Sequence, residues 1–367
     1  MKSLGVYFGT FAPCHVGHFE QIIRAKREND HALVIVSGYD GDRGDEHGMN
    51  LNHRVKAMRQ LCAGDENVTI LKLDETDIPR YPKGWKLWLE KMSGIISENM
   101  PYPKEKLGDL TFYVGEEEYI DPLKDFYTKN WNNVSTNVIL VDRQVLKISG
   151  TNIRESALIN WDYVTRPFRR FFVQNVLVIG APDTGKSKLV QDLARRYSTS
   201  YSVEYKKDYL VDHQVRPDEL DVKDFHAIGI GQFDINKKNI HSPATRKVFF
   251  ADTDVMTAKV MTRLSDSNEA SNRLYDVFDY YIQLQNWSLI LLLPPAEDVE
   301  YDNTVYKELQ KEIESNNLMN LTHELSGTSY RDIYQEAHSL VDKMLADGKD
   351  NCCLLYTSDA ADDSLRV

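Results

Sequence analysis

The sequence has few cysteines and lacks a long hydrophobic run. Its four cysteines, at positions 14, 62, 352 and 353, match no metal-ligand spacing, which argues against a disulfide framework and against a zinc site. The longest apolar run, 289–293, is far shorter than the ~20 residues of a membrane helix, and the run 4–8 is too short for a signal peptide. The sequence therefore predicts a cytoplasmic protein without membrane insertion.

Positive charge is also scarce. The 44 Lys and Arg residues face 56 Asp and Glu residues, which gives a net charge of −12. Such a chain is not expected to bind nucleic acid through its overall field, so anionic ligands would need a local cationic pocket. The length of 367 residues and the hydrophobic content of 42% fit two folded domains of roughly 100–200 residues each.

Short apolar runs alternate with amphipathic runs in two successive series, which predicts two α/β domains with parallel sheets. In the first series we predict strands at 4–8, 32–37, 68–73, 110–114 and 138–141, with helices near 17–28, 52–62, 85–98 and 152–158. In the second we predict strands at 173–179, 247–251 and 288–293, with helices near 186–197, 222–236, 254–264, 304–315 and 332–345.

The segment NWDYVTRPFRRFF, residues 160–172, interrupts this alternation. We therefore predict a first domain over 1–160, a linker over 161–172 and a second domain over 173–348. Residues 352–367, CCLLYTSDAADDSLRV, continue no pattern and resemble translated sequencing-adapter read-through, so we interpret them as a non-native tail.

The first predicted strand runs into a glycine turn, GTFAPCHVGH, at residues 9–18. Glycine lets the backbone approach a ligand closely, and the helix that follows offers free amides to an anion. His15 and His18 are three residues apart, so both imidazoles can face one phosphate and stabilise charge developing on it. Two exposed histidines beside a helix cap are the simpler alternative, but the HxGH spacing directly after a strand favours the phosphate site.

A second polar segment, ISGTNIRE at 148–155, opens a helix with hydroxyls at its N-cap. Arg154 lies in the first turn and could grip a phosphate with two hydrogen bonds, although a plain helix cap is the alternative. With HxGH and ISxTxxR together, the sequence resembles the nucleotidyltransferase superfamily. The resemblance implies that His15, His18 and Arg154 stabilise the transition state when a substrate phosphate attacks the α-phosphate of ATP. It also implies ATP contacts by Gly9, Thr10, Phe11, Gly17, Ser149 and Thr151.

The second series begins with another glycine turn, GAPDTGKS at 180–187, which matches GxxxxGKS between a strand and a helix. This pattern predicts ATP binding with Mg²⁺, in which Lys186 neutralises phosphate oxygens and Ser187 coordinates the metal. Asp252 follows another strand and is the better candidate for the metal shell, while Asp254 would orient or deprotonate a hydroxyl; the reverse assignment is the alternative. The predicted ATP-binding set is Gly180, Asp183, Thr184, Gly185, Lys186, Ser187 and Lys188.

Further segments resemble the NadR family, whose two enzymatic domains occur in this order. DETDI at 74–78, YPKGW at 81–85 and Trp88 look like its nicotinamide mononucleotide adenylyltransferase domain. EYKKDY at 204–209, DTD at 252–254 and LSGT at 325–328 with Tyr330 look like its ribosylnicotinamide kinase domain. The resemblance implies a Rossmann-like nucleotidyltransferase domain followed by a P-loop NTPase kinase domain. It also implies an NAD salvage enzyme that adenylylates nicotinamide mononucleotide with ATP, giving NAD and pyrophosphate, and phosphorylates nicotinamide riboside.

The residues that the resemblance places at nicotinamide or substrate are Trp85, Trp88, Glu204, Tyr205, Tyr301 and Asp302. The face of Trp85 or Trp88 suits a pyridinium cation, although without the resemblance the favoured interpretation is that both are core anchors of their helix. The kinase half also departs from the family. Lys207 replaces an Arg. The segment 298–305 lies where the family has PWxxDGxR, and Val299 and Val305 replace the aromatic residue and the Arg of that pattern. Asp302 remains for the ribose, with Tyr301 as a replacement stacking residue.

Two alternatives remain open at this stage. The second domain could be a non-catalytic ATP-binding sensor, or a kinase for another nucleoside. A transcriptional regulator is disfavoured, because the first strand begins close to Met1, without room for the helix-turn-helix that some family members carry, and because the charge is acidic. The expected partners are small molecules, not nucleic acid, and a homo-oligomer remains open.

Overall fold

The computed structural model describes residues 1–80, 82–141, 148–265, 272–295 and 299–347. They form two compact units, divided in sequence between Phe172 and Val173. Each unit contains a parallel sheet of five strands with helices between them, which confirms the predicted fold class. The suspected tail, Tyr81 and Asp298 lie outside the described residues. In the part of the chain that is described, no helix is long and apolar enough to cross a membrane.

The first unit has the strand order β3-β2-β1-β4-β5. Its strands are β1 (Lys2–Gly9), β2 (His31–Gly38), β3 (Val68–Asp74), β4 (Leu107–Val114) and β5 (Ser135–Leu140). Its helices are α1 (Val16–Glu28), α2 (Leu51–Leu61), α3 (Trp85–Asn99), α4 (Ile120–Asn130), α5 (Gly150–Glu155) and α6 (Arg166–Arg169). The strand order reverses between β1 and β4, where Tyr7 lies opposite Tyr113. In such sheets the crevice beyond the strand ends at the reversal is the usual ligand site.

The segment predicted as a linker, 161–172, is folded into the first unit. Trp161 and Phe168 are buried, and the backbone amide and hydroxyl of Thr165 both donate to the carbonyl of Cys14, at 3.2 and 2.8 Å. The prediction relied on the proline and the arginines of this segment, whereas its aromatic side chains determine where it packs. The first unit therefore extends to Phe172.

The second unit has the strand order β10-β9-β6-β8-β7. Its strands are β6 (Gln174–Gly180), β7 (Tyr201–Ser202), β8 (Val248–Asp252), β9 (Leu289–Leu293) and β10 (Thr322–Glu324). Its helices are α7 (Lys186–Tyr197), α8 (Tyr205–His213), α9 (Val222–Ile240), α10 (Val255–Ser265), α11 (Asn272–Gln283), α12 (Glu300–Ser315) and α13 (Tyr330–Asp347). The central strand β6 is fully buried beyond its first residue and leads directly into the second glycine turn. Strands covered on both faces carry continuous apolar runs, as β6, β8 and β9 do.

Several predicted element boundaries differ from those of the structure. Strand β5 begins at Ser135 instead of 138, and α5 spans Gly150–Glu155 instead of 152–158. Helix α9 continues to Ile240 instead of ending near 236, and α12 begins at Glu300 instead of 304. The apolar and amphipathic runs of the sequence do not predict α4, α6, α8, α11, β7 and β10. Helix α8 shows the reason, since of its nine residues Tyr209 is the buried one, so its sequence lacks the apolar stripe that marks an amphipathic helix.

Candidate active sites

The two histidines of the first glycine turn lie together at the start of α1. Their rings stack with centroids 3.7 Å apart, and the backbone amide of His15 donates to Nδ1 of His18 at 3.3 Å. Because Nδ1 of His18 accepts this bond, Nε2 of the neutral ring carries the proton and can donate to a ligand. Phe11, which is buried and has a φ of +48°, contacts the His18 ring edge-on at 5.2 Å. The turn thus fixes both imidazoles beside the free amides of a helix N-terminus.

Arg154 joins this turn from the far end of the unit. Its Nη1 donates to the carbonyl of Ala12 at 2.6 Å, and its Nη2 donates to Thr151 Oγ1 at 3.0 Å. Ser149 caps α5 by accepting from the amide of Asn152 at 3.1 Å. Gly150 leaves room for this contact, since a Cβ atom would lie only 3.2 Å from both the Ala12 oxygen and Arg154 Nη1. The structure therefore brings together the two motifs that the sequence predicted to share one phosphate site.

The sequence analysis missed two groups near this site. Arg54 on α2 is fully buried and forms an ion pair with buried Asp42, and Gly38 leaves the space that this pair occupies. His47 lies close enough to Arg154 that the arginine charge, together with burial, which is the larger effect, lowers the pKa of the imidazole. No pattern marked Arg54, because a basic residue in a helix normally indicates the solvent-exposed face.

The two tryptophans of α3 occupy different environments. Trp88 is 2% exposed, and its Nε1 donates to Glu75 Oε1 at 3.0 Å. Burial raises the pKa of Glu75. Trp85 is only partly buried and meets Trp88 and Tyr119 edge-on, at 5.5 and 5.4 Å between ring centroids. Trp88 is therefore a core anchor, and Trp85 is the tryptophan that retains a surface for a ligand.

The second glycine turn has the backbone that its sequence requires. Gly180, Asp183 and Gly185 have φ values of +155°, +54° and +85°, and a side chain at Gly180 would collide with the carbonyl of Leu293. Conformations of this kind favour glycine, and they turn successive amides toward one point. The Lys186 ammonium donates to the carbonyl of Ala181 at 2.6 Å and thus lies over the loop. Thr184 Oγ1 donates to the same carbonyl at 2.9 Å.

Charged side chains gather around Lys186. Burial lowers the pKa of Lys186, while the charges of Asp252 and Glu204 act against this shift. Burial raises the pKa of Asp252, and a hydrogen bond with the Ser187 hydroxyl partly offsets the effect. Lys207 donates to Ser187 Oγ at 3.2 Å and pairs with Glu204 at 3.5 Å. Lys207, at the position where the resemblance led us to expect Arg, therefore reaches Ser187 of the P-loop.

The Ser187 and Asp252 pair fits a magnesium ion. Oδ1 of Asp252 is buried and accepts no hydrogen bond from the described residues, so a buried anionic oxygen is available beside a hydroxyl. The described part of the chain contains no group of three or more His, Cys, Asp or Glu side chains that would form a metal cage. Mg²⁺ bound with ATP needs only one or two protein oxygens, because phosphates and water supply the rest.

Asp254 has a different environment from Asp252. Its Oδ1 accepts from the amides of Met256 and Thr257 at the start of α10, at 3.1 and 3.4 Å, and its Oδ2 accepts from Gln285 Nε2 at 3.2 Å. The carboxyl group is 1% exposed, and burial raises its pKa to about 7. These are the contacts of a buried helix cap, so the structure favours Asp252, rather than Asp254, as the carboxylate that faces the P-loop.

The predicted substrate residues of the second unit lie at the starts of α8 and α12. Tyr301 is 52% exposed, with its hydroxyl 3.8 Å from the sulfur of Met261, and Met261 packs on the same apolar cluster as Tyr205. Val299 is exposed before α12, whereas Val305 is buried within that helix. The expected arginine at position 305 is therefore replaced by a valine that packs in the core. The ammonium group of Lys188, which was predicted to bind ATP, lies over the ring of Tyr330, 4.0 Å from its centroid.

Comparison with family models divides the chain in the same way as its fold. A cytidylyltransferase-like family matches residues 6–156, and an AAA domain family matches residues 175–333. The first match contains both the HxGH and the ISxTxxR motifs, and the second contains the P-loop and Asp252.

Whole-protein comparisons extend over both units. The chain is 30% identical over 308 residues to the trifunctional NAD biosynthesis/regulator protein NadR of Salmonella typhimurium strain LT2, and 29% identical to that of Escherichia coli strain K12; each match covers 78% of this chain and 69% of the relative. A crystal structure of NadR in complex with NR matches with a TM-score of 0.85 and 33% identity, over 94% of this chain and 96% of that chain. A second NadR structure, with NAD and AMP-PNP, matches with a TM-score of 0.85 and 32% identity, over 98% and 99%. The chain belongs to the NadR family.

Proposed function

We propose that the first unit transfers the adenylyl group of ATP to nicotinamide mononucleotide, giving NAD and pyrophosphate. The observation that carries this proposal is the contact of Arg154 with the turn that holds His15 and His18. Two stacked imidazoles at the N-terminus of α1 and a guanidinium bonded to the same turn through Ala12 supply the donors that a phosphate needs. The NadR relatives named for NAD biosynthesis support the same reaction.

In this reaction a phosphate oxygen of the mononucleotide attacks the α-phosphorus of ATP. A new P–O bond forms, the bond to the β-phosphate oxygen breaks, and pyrophosphate leaves with the electron pair. His18 donates through Nε2 to the oxygens that gain charge, and Arg154 neutralises the phosphates. No side chain becomes covalently modified, so positioning and charge stabilisation carry the catalysis.

Among the aromatic residues, Trp85 is our candidate for the nicotinamide ring. Its partly buried ring meets Tyr119 edge-on, and the neighbouring Trp88 donates to the carboxylate of Glu75. A pyridinium cation is attracted by aromatic faces and by a nearby carboxylate. Trp88 then supports the site from the core instead of touching the ring.

The test of this activity is NAD formation by the full chain from ATP and nicotinamide mononucleotide. His18→Ala is expected to lower kcat by a factor on the order of 10², the usual effect of losing one preorganised donor. Gln21→Ala, on the same helix, serves as the matched control. Near-normal turnover by His18→Ala would refute the assignment.

For the second unit we propose phosphoryl transfer from ATP to nicotinamide riboside. The P-loop with Lys186, Ser187 and Asp252 supports binding of ATP with Mg²⁺. NadR structures with NR and with AMP-PNP support the choice of substrate. Tyr205, Tyr301 and Asp302, at the starts of α8 and α12, are our candidates for holding the riboside.

In the proposed step the riboside hydroxyl oxygen bonds to the γ-phosphorus, and the bond to the β-phosphate oxygen breaks to release ADP. The hydroxyl proton passes to a carboxylate, for which we favour Glu204, because its charge acts on both Lys186 and Asp252. Lys186 neutralises the transferring phosphate, and Ser187 and Asp252 would hold the metal. Mg²⁺, when bound, would screen charge on the β- and γ-phosphates.

The kinase proposal is tested by incubating the full chain with ATP and nicotinamide riboside and measuring nicotinamide mononucleotide and ADP. Lys186→Ala is expected to abolish this product while leaving adenylyl transfer intact. ATP binding without riboside phosphorylation would instead favour the sensor, and phosphorylation of a different nucleoside would favour the other-kinase alternative. These two alternatives are kept because Val299, which is exposed, and Val305, which is buried, replace the aromatic residue and the Arg expected in a ribosylnicotinamide kinase.

A further inference from the structure

Helix α9 carries two buried amide side chains, one turn apart, that none of the predicted motifs includes. Gln232 is 1% exposed and Asn236 is 3% exposed. Gln232 Nε2 donates to Asn236 Oδ1 at 3.0 Å, which joins the two amides into one unit. Burying polar groups is costly unless their hydrogen bonds are satisfied, so this pair needs the partners described next.

On one side the pair holds the segment that leads into α8. Gln232 Oε1 accepts from the amide of Tyr205 at 2.7 Å, and its Nε2 also donates to the carbonyl of Val203 at 3.1 Å. Ser202 Oγ donates to Asn236 Oδ1 at 2.5 Å. Val203 and Tyr205 are the two neighbours of Glu204 in the chain. By holding the backbone of both, Gln232 fixes the position from which the Glu204 carboxylate acts on Lys186.

On the other side the pair holds the turn after β8. Asn236 Nδ2 donates to the carbonyl of Thr253 at 3.3 Å, and the Thr253 amide donates to the carbonyl of Val178 in β6 at 3.1 Å. Thr253 has a φ of +75°, a conformation that is strained for a β-branched residue and that persists only where its surroundings impose it. The residue that immediately precedes this strained position is Asp252.

We propose that Gln232 and Asn236 are positioning residues that hold the backbone beside Asp252 and Glu204, and thereby place both carboxylates near Lys186 for binding of ATP with Mg²⁺. One helix thereby determines the spacing of two carboxylates, one at the end of β8 and the other at the N-cap of α8. Side chains behind a metal ligand usually affect metal affinity strongly without touching the metal. The inference rests on the proposed ATP site of the second unit, but not on the identity of the nucleoside that it phosphorylates.

The variants that test this inference are Asn236→Ala and Gln232→Met. Asn239→Ala is the matched control, because Asn239 lies on the same helix and its side chain donates to the carbonyl of Ile235 in that helix, at 3.0 Å. ATP binding to the full-length protein is titrated calorimetrically, once with EDTA and once with saturating Mg²⁺. The signal of Lys186→Ala protein is subtracted to remove ATP bound by the first unit.

Mg²⁺ is expected to tighten ATP binding by wild-type protein and by Asn239→Ala. In Asn236→Ala and Gln232→Met this tightening is expected to fall on the order of tenfold, while ATP affinity in EDTA stays within about twofold. Retained affinity in EDTA also shows that the second unit has folded. Where riboside phosphorylation is measured, kcat falls in parallel with the lost tightening, and NAD formation by the first unit is unchanged.

Three outcomes would overturn the inference: an unchanged Mg²⁺ effect in both variants, a parallel loss of ATP affinity with and without Mg²⁺, or a wild-type protein that binds ATP equally with and without Mg²⁺. The second of these would assign the pair to stability alone. If wild-type protein fails to phosphorylate the riboside, the proposed kinase function falls, but the Mg²⁺ effect still decides the role of the pair. The two failures are therefore distinguishable.

Discussion

The fully buried guanidinium of Arg54 donates from Nη1 to the backbone carbonyl of Thr10 at 2.8 Å. Thr10 lies in the first glycine turn, and Arg54 lies on α2. Nη2 of the same arginine pairs with Asp42, whose Oδ1 accepts from the amide of Gly44 at 2.9 Å. The turn that carries His15 and His18 is therefore held from behind by a buried ion pair, which matters for a reaction that depends on positioning.

We predict that Asp42→Asn destabilises the first unit by about 3–5 kcal/mol, because it leaves the arginine charge buried without its anion. NAD formation should fall with it, since Thr10 loses its support. The double variant Asp42→Leu with Arg54→Met removes both charges, and we expect it to recover most of the lost stability. The measurement is the free energy of unfolding of the first unit in urea.

The exposed pair of Lys86 and Glu90, 3.9 Å apart on α3, provides the control. Lys86→Ala is expected to leave unfolding unchanged, since solvated ion pairs contribute little. Equal effects of Lys86→Ala and Asp42→Asn would contradict the role assigned to the buried pair.

Arg154→Lys is expected to lower kcat for NAD formation on the order of 10². Lysine keeps the positive charge but loses the planar fork that spans the Ala12 carbonyl and the Thr151 hydroxyl. Arg195→Lys on α7, where Arg195 is exposed and pairs with Asp192, is the matched control and should have no effect. The measurement is kcat for NAD formation by both variants. Full activity of Arg154→Lys would show that the positive charge alone is enough for catalysis.

The two tryptophans of α3 should separate binding from stability. Trp85→Ala is expected to raise KM for nicotinamide mononucleotide by roughly tenfold, which corresponds to the loss of a cation–π contact, with little change in unfolding. Trp88→Phe should destabilise the first unit by about 1–3 kcal/mol, because buried Glu75 loses its donor. Measuring KM and urea unfolding for both variants tests this division, and the reverse pattern would place the nicotinamide ring on Trp88.

The sequence predicts the glycine turns well because their chemistry is local. Gly180, Gly185 and Lys186 are recognised by spacing alone, and the order of strand, turn and helix confirms their context. Contacts such as that of Arg54 with Thr10 join residues far apart in sequence, and a polar side chain in a helix carries no mark of burial. The same limit applies to Gln232 and Asn236, which in the sequence look like ordinary polar residues of an amphipathic helix.

The choice between Asp252 and Asp254 required the structure for a related reason. Asp252 is the last residue of β8 and Asp254 lies two residues later, so sequence spacing cannot tell which carboxylate turns toward the P-loop. Thr253, with its positive φ, separates them, and one carboxylate lies at the end of the sheet while the other caps α10.

The burial of Asp254 predicts a specific pH dependence of the stability of the second unit. Burial raises the pKa of Asp254 to about 7 from its ordinary value of 3.8. Between these two values the folded state keeps a proton that the unfolded state has lost, so the free energy of unfolding falls as pH rises from about 4 to 7 and then levels off. Asp254→Asn should remove this contribution, since an amide still accepts from the amides of Met256 and Thr257.

The measurement is urea unfolding of the second unit at pH 5 and pH 8, for wild type and Asp254→Asn. Relative to wild type, the variant should gain stability at pH 8, because it no longer buries a carboxylate. Asp224→Asn is the control, because its pKa is shifted in the opposite direction: the hydrogen bond from the Asp221 amide lowers the pKa of Asp224. The stability that ionised Asp224 contributes is lost only as pH falls below about 4, so Asp224→Asn should not change the difference between pH 5 and pH 8. If the stability of Asp254→Asn changes with pH as that of the wild type does, Asp254 is already ionised at pH 5. In that case the hydrogen bonds that it accepts lower its pKa more than burial raises it.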